Sequence, residues 1–341
     1  MLQKNYSAWR INPNDFSDKW SASEKLHFFS RFAILAPSGH NSQPWELKLG
    51  DNSLEVSVNK LRFLSSDGSG LLSAEPYISV GTFLEVFNLA ARGFGYEVDI
   101  KILPGEEKIA NITIVGEAER DASLLRAITE RTSNRNPYKK TAVSRAQIQK
   151  ITSTELKGII SNTITKRKDI ELVSNLTEDA IKAIMSNPLY RKELGNWVRT
   201  NYTRSYYGMP GFTHGFDNIK SLLSKFVIKY GNKYGPEASK SKKLIEQSGA
   251  LIIVSCTKQN KASFINAGRL FSQICVLAYD TNLAASALGA SVLYADTRSK
   301  LVKHFDMKGR PMYILRLGKP TAKAPHSPRF PIEKILSPAT H

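Results

Sequence analysis

The apolar positions recur at helical spacing in some stretches of the chain and alternate in others. Ser21-Ala-Ser-Glu24 starts the first helical stretch. A hydroxyl followed three residues later by a carboxylate satisfies free backbone donors at a helix start. Leu26, Phe29, Phe32, Ala33 and Ala36 then fall on one face. Residues 45–49 and 54–58 alternate about Asp51-Asn52 and predict a hairpin. A long apolar helix is predicted over about 77–94, with strands at about 97–103 and 110–115. The first 20 residues are polar and punctuated and predict an extended arm. Residues 65–75 form a glycine-bearing loop, but its Gly68-Ser-Gly70 lacks the flanking strand and helix of a dinucleotide-binding fingerprint.

The second half repeats this order. Ser144-Arg-Ala-Gln147 is another capping box, residues 250–256 form a solidly apolar β-branched strand, 266–287 predict a long buried helix, and 312–317 a closing strand. The two long helices can be overlaid. Residues 81–91 match 268–278 with Gly81 on Gly268, Ala91 on Ala278, and apolar positions coinciding at Phe83/Leu270, Leu84/Phe271, Phe87/Ile274 and Leu89/Val276. With two capping boxes and two closing strands in the same order, an internal duplication is the expected architecture. The stretch at about 198–240 is the least regular. Its Tyr206, Tyr207, Met209, Phe212 and Phe216, hinged by three glycines, read either as a lid over a pocket or as a surface crossover.

Composition narrows the function classes. The chain has 341 residues, 41% of them hydrophobic, enough for a sizeable core. No apolar run reaches membrane-spanning length, and the N-terminus lacks a secretory signal, so a cytoplasmic chain without a membrane partner is expected. Cys256 and Cys275 lie in apolar runs and form no CxxC, which predicts buried inert thiols and no metal site. The net charge of +18 is high, but no groove-reading motif accompanies it. Solvated surface, not a nucleic-acid partner, is the expected use of these charges.

Two stretches carry candidate chemistry. In Ala33-Ile-Leu-Ala-Pro-Ser-Gly-His-Asn-Ser-Gln-Pro-Trp-Glu-Leu47, two prolines bracket a turn offering the Ser38 hydroxyl, the His40 ring and the Asn41 and Gln43 amides. On composition alone this is also an ordinary helix-to-strand connection. In Arg131-Thr-Ser-Asn-Arg135, two guanidiniums bracket two short hydroxyl donors, a set that suits a phosphate. A solvated surface segment would carry the same residues.

The first stretch resembles the A-P-S-x-x-N-x-Q-P-W signature of the FMN-dependent nitroreductases, and it matches at Ala36, Pro37, Ser38, Asn41, Gln43, Pro44 and Trp45. Arg131-Thr-Ser-Asn-Arg135 resembles that family's R-R-S-x-R element, and Arg329 in Pro325-His-Ser-Pro-Arg-Phe-Pro331 resembles its terminal phosphate-binding arginine. Ser327 stands where a lysine is common. One turn, in the first half, and one phosphate element, at the head of the second, resemble a fused dimer that kept one of two sites, as in the Acg-like branch. Tyr207-Gly-Met-Pro210 and Leu315-Arg-Leu-Gly-Lys-Pro320 extend the likeness, which runs from about Trp9 to Leu336.

The resemblance implies an α+β, nitroreductase-like fold. It would have two pseudo-symmetric lobes (1–120 and 121–341, with a lid or crossover at about 198–240), each a mostly antiparallel sheet packed by helices around long central helices. It implies FMN, held by Pro37, Ser38, His40, Asn41, Gln43, Arg131, Thr132, Ser133, Arg135, Leu293, Tyr294 and Arg329, with no metal. The activity implied is that of an oxidoreductase carrying electrons from NAD(P)H to a nitroaromatic- or quinone-class acceptor. Arg135 would face the N1/O2 edge of the ring, Leu293-Tyr294 would offer a backbone donor, and His40 is the candidate proton donor. The alternative is a flavin-sequestering protein with little turnover. The chain would be a monomeric fused pair or a homodimer.

Overall fold

A computed structural model describes residues 4–64, 71–103, 105, 107–231 and 234–337. The first half runs α1 (Ala22–Ala33), β1 (Trp45–Leu49), β2 (Leu54–Val58), α2 (Leu71–Gly93), β3 (Tyr96–Ile102), β4 (Lys108–Glu117) and α3 (Ala122–Glu130). There follow α4 (Arg145–Ile151), β5 (Ile159–Ile164), α5 (Arg167–Ser186), α6 (Pro188–Trp197), β6 (Val198–Arg199), β7 (Met209–Pro210), α7 (Asn218–Tyr230) and α8 (Gly235–Glu246). The chain closes with β8 (Ala250–Cys256), α9 (Lys261–Asp280), β9 (Ala284–Leu288), α10 (Ala290–Leu293), α11 (Ala295–His304), β10 (Arg310–Gly318) and β11 (Leu336–Ser337).

Both capping boxes form. Ser21 and Glu24 exchange hydrogen bonds at the start of α1, and Ser144 and Gln147 do so at α4. The hairpin pairs Trp45 with Val58 through Leu49 with Leu54. The first sheet has the order β11-β1-β2-β4-β3 and is antiparallel except where β11 joins β1 in parallel. The second, β5-β8-β10-β9, is antiparallel throughout. Every residue of β8 is buried, as a central strand covered on both faces requires. This mixed helix-and-sheet architecture, with two mostly antiparallel sheets, is the expected one.

Each sheet has its own core, and α2 and α9 pack together between them. Their crossing is reciprocal. A Cβ on Gly81 would overlap the Ile265 carbonyl and lie 3.0 Å from Gly268 Cα; a Cβ on Gly268 would overlap the Ile78 carbonyl and lie 3.0 Å from Gly81 Cα. Ile265 of α9 is buried in the first core, while Ile78 of α2 is buried in the second. Residue i touching j while j's equivalent touches i's is the form of a two-fold interface, and the overlay of Gly81 on Gly268 falls at this crossing.

Several expectations are corrected. The predicted helix over 266–287 ends at Asp280, where Asn282 turns left-handed at φ 61°, and Ala284–Leu288 continues as β9. An Ala/Ser/Leu run has little strand preference of its own; the ladder to β10 decides it. The helix expected from 77 begins at Leu71, and the arm contains short 3-10 turns at Lys4–Trp9 and Pro13–Asp15. Residues 65–70 of the glycine-bearing loop lie outside the described residues. The irregular stretch from 198 is partly helical, holding α7 and the first half of α8. Packing does not follow a division at residue 120 either: α3 buries Leu124, Leu125, Ala127 and Ile128 in the first core, and Ile332 and Ile335 return to it from the C-terminus.

Candidate functional site

The Ala36–Trp45 turn is strained and held on every side. His40, Asn41 and Gln43 have φ of 48°, 58° and 50°, a left-handed region that costs non-glycine residues energy and persists only when the surroundings fix it. The fixing comes first from α2. The Gly39 amide donates to Glu75 Oε1 at 2.7 Å and to Ser79 Oγ at 3.2 Å, and the Thr82 hydroxyl donates to the Pro37 carbonyl. Burial pushes the Glu75 carboxyl up to about 6, against the opposing pull of those hydrogen bonds.

Within the turn, the Gln43 amide donates to Ser38 Oγ at 2.9 Å. Asn41 Nδ2 donates to the carbonyls of Gly208 and Pro328, both at 3.0 Å, while Asn41 Oδ1 accepts from Arg329 Nη1 at 2.6 Å. Gln43 Nε2 donates to the Tyr206 carbonyl at 2.8 Å, and Gln43 Oε1 accepts from the Phe330 amide at 3.0 Å. The Asn41 and Gln43 side chains therefore bind the turn to residues 206–208 of the crossover and to the C-terminal strap.

Arg131 and Arg329, 198 positions apart in the chain, converge on the carbonyl of Leu35 just before this turn. Arg131 Nη2 donates to it at 2.6 Å and Arg329 Nη2 at 3.3 Å. They are only 3% and 5% exposed, and neither Nε has a hydrogen-bond partner among the described residues. Neither guanidinium is paired with a carboxylate among the described residues. Burial, then the neighbouring Arg131, pushes Arg329 down to about 9. A buried cation without a counter-charge is costly, so this arrangement calls for an anion.

Both arginines lie on a cleft of about 820 Å³ that is also lined by Thr132, Ser133, Arg135, His214, Ser286 to Ala290, Arg316 and His326. The Arg131–Arg135 segment is zipped to the edge of the second sheet. Ser133 bridges Ala285, and the Asn134 amide donates to the Ala285 carbonyl at 3.2 Å. Arg316, fully buried on β10, holds the segment from behind through the Asn134 and Asn136 carbonyls and lies 4.0 Å over the Tyr138 ring. Arg135 faces the open volume and donates to the Thr213 carbonyl at 3.4 Å. The N-terminal arm completes the wall, with Trp9 stacked on His326 at 3.9 Å and donating to the Ser327 carbonyl at 2.9 Å.

The field in the cleft has one sign. Among the described lining residues the single carboxylate is Glu237, an exposed one. Burial and the nearby Arg329 and Arg131 push His326 down to about 4, and burial, Arg135, His40 and Lys240 push His214 down to about 3. His40, beside these groups, falls to about 4 through burial and Arg135 despite Glu193. It is therefore neutral near pH 7.

Of the residues singled out in the sequence, Arg131, Thr132, Ser133, Arg135 and Arg329 line the cleft. Pro37, Ser38, Asn41 and Gln43 stand behind it as supports and, with His40, are not among its lining residues. Leu293 packs with Leu64, Trp197, Val198 and Met209, and Tyr294 is exposed, so neither forms the wall; Leu288 to Ala290, just upstream, does. His214, Arg316 and His326 were missed. The Leu315-Arg-Leu-Gly-Lys-Pro320 motif already contained Arg316, whereas nothing local marks the two histidines.

This arrangement of two lobes around a reciprocal helix crossing is a nitroreductase-like fold. The structure of a "putative nitroreductase" from Anabaena variabilis is similar over 93% of this chain and 91% of its own, with a TM-score of 0.54 at 10% identity. No family model matches the chain. At the level of sequence it is related along nearly its whole length to two Mycobacterium tuberculosis proteins. "Putative NAD(P)H nitroreductase Rv3131" is 21% identical over 326 residues, covering 92% of this chain and 91% of that protein. "Putative NAD(P)H nitroreductase acg" is 21% identical over 321 residues, covering 90% and 93%.

Proposed function

We propose that the chain is an FMN-binding oxidoreductase that takes electrons from NAD(P)H and delivers them to a small acceptor of the nitroaromatic or quinone class. The observation that carries this reading is the pair of buried guanidiniums on the cleft, Arg131 and Arg329, neither paired with a carboxylate among the described residues. Arginine donates to phosphate in a planar fork, and Thr132 and Ser133 add short donors beside it. A cleft of about 820 Å³ is ample for a mononucleotide-sized ligand. The NAD(P)H donor is supported by the names of the two mycobacterial relatives.

In this reading Arg131, Thr132, Ser133 and Arg329 hold the phosphate. Arg135, facing the open volume, stabilises negative charge at the edge of the ring system. The bound flavin supplies the redox chemistry. The chain fixes the geometry: Arg316 orients the Arg131–Arg135 segment, and the strained turn presents the Leu35 carbonyl that aligns both phosphate-binding arginines. With both dimer-like contacts made within one chain, a monomer is the functional unit proposed.

A sequestering role is favoured by one observation: Asn41 and Gln43 tie the crossover backbone at 206–208 down beside the site. One experiment separates the readings. Purified protein is expected to be yellow, to release FMN on denaturation, and to bleach when NADPH is added without air. Colour without bleaching assigns storage, and colourless protein that takes up no added FMN removes both.

A further inference from the structure

The outward face of α7 is apolar where water is expected to meet charge. Ile219, Leu222, Leu223, Phe226, Val227 and Tyr230 recur at helical spacing and are each 52–79% exposed. The residues turned inward are mainly small and polar. Ser221 accepts from the Asn201 amide at 3.1 Å, Ser224 donates to the Ser221 carbonyl at 2.7 Å, and both are buried, with Ile228 packing beside Trp197 and Met209. At 100° per residue the six outward side chains cover a sector of about 140°. The helix is thus inverted relative to an ordinary surface helix, which turns its apolar stripe to the core. Contiguous apolar surface of this kind marks an interaction site.

Charge selects the occupant. On the same wheel Lys220 borders one edge of the strip, and Lys225 and Lys229 border the other. α7 itself contains no Asp or Glu; its N-cap Asp217 pairs with Lys220 at 3.0 Å, which leaves Lys225 and Lys229 on the other edge without a carboxylate of this helix beside them. A second copy laid on this face would bring lysine edges together in a chain already at +18. An anionic lipid surface instead takes the apolar strip into the boundary between headgroups and acyl chains and the lysines to the phosphates.

We propose that α7 docks the protein on an anionic membrane surface, lying in the interface plane. Among the described residues no helix is long and apolar enough to cross a membrane, so the contact is peripheral. The expectation of no membrane partner rested on the lack of a spanning run, a criterion blind to an interfacial helix. The 3-10 turn Gly211–His214, part of the cleft wall, leads directly into α7, so docking fixes the surface next to the cleft. The proposal is independent of the flavin reading.

The test is flotation of the full-length protein with phosphatidylcholine vesicles made with or without phosphatidylglycerol. The protein should float with the anionic vesicles, release at high salt, and stay behind with phosphatidylcholine alone. Leu223→Asp with Phe226→Asp should lower partitioning at least about tenfold, with an unchanged unfolding midpoint because both side chains face outward. Lys220→Gln with Lys225→Gln should lower it about tenfold on anionic vesicles. Failure of the wild type to float with anionic vesicles, or equal flotation of the Asp variant, overturns the proposal. So does a wild-type dimer in sedimentation velocity that the Asp variant converts to monomer, since that gives the strip to a second copy.

Discussion

Replacing Gly81 by alanine tests the reciprocal crossing on which both lobes depend. The added methyl would lie 2.8 Å from the Ile265 carbonyl carbon and 3.0 Å from Gly268 Cα, where ordinary contacts fall at 3.4–4 Å. The obstacles are backbone atoms of a packed helix, the Ile265 carbonyl oxygen nearest of all, so no side chain can swing aside and α2 and α9 must part by roughly an ångström or more. Overpacking of this kind costs up to about 3 kcal/mol, and the better helix propensity of alanine returns about 1 kcal/mol. The net expectation is a loss of about 2 kcal/mol. Gly268→Ala, which meets the Ile78 carbonyl in the same way, should cost a similar amount. The double variant should fall short of the sum by about 1 kcal/mol or more, because one separation relieves both methyls. Gly116→Ala is the control: nothing lies within 4 Å of its Cβ. Urea unfolding of the flavin-free protein followed by circular dichroism measures all four. Single variants within about 0.5 kcal/mol of wild type, or strict additivity, would refute the two-fold reading of this contact.

Three further outcomes are expected. Asn41→Ala leaves the Gly208 and Pro328 carbonyls and the Arg329 guanidinium each short of a partner; thermal melts of the flavin-free protein should show a loss of about 3 kcal/mol, and a change near zero would return Asn41 to a purely ligand-facing role. Glu75 binds its proton more tightly when folded, so its contribution to stability is complete below about pH 4.5 and is lost as pH rises through about 6. That loss amounts to about 2 kcal/mol, and Glu75→Gln should remove the slope and be the more stable protein at pH 7; parallel wild-type and variant curves between pH 4 and 7.5 would contradict it. Arg131→Ala combined with Ser133→Ala should weaken FMN binding at least about a hundredfold, read by fluorescence titration, and unchanged affinity would place the phosphate elsewhere.

Much of the site's chemistry was legible because it is carried by short, ordered strings. Arg131-Thr-Ser-Asn-Arg135 offers an anion-compatible donor set by residue type, though a solvated segment would carry the same residues, and Arg329 was named through the family resemblance. In the turn around Asn41 the direction of the side chains was not visible: with φ values near 50° in the turn, the Asn41 and Gln43 amides bind backbone from residues 206–208 and 328–330. His214 and His326 reach the cleft from the crossover and the strap, and no local pattern distinguishes them from surface histidines.

By itself, the order of residues determined where helices start, through Ser21 and Ser144, and which strands alternate, since capping and periodicity are local demands on residue type; it laid Gly81 over Gly268 without showing that the two meet. Only the tertiary structure decided that Ala284–Leu288 is a strand, that α7 turns its apolar face outward, and that two arginines 198 positions apart share one carbonyl. Ladder pairing, burial and like-charge proximity are properties of neighbours in space, and no window along the chain contains them.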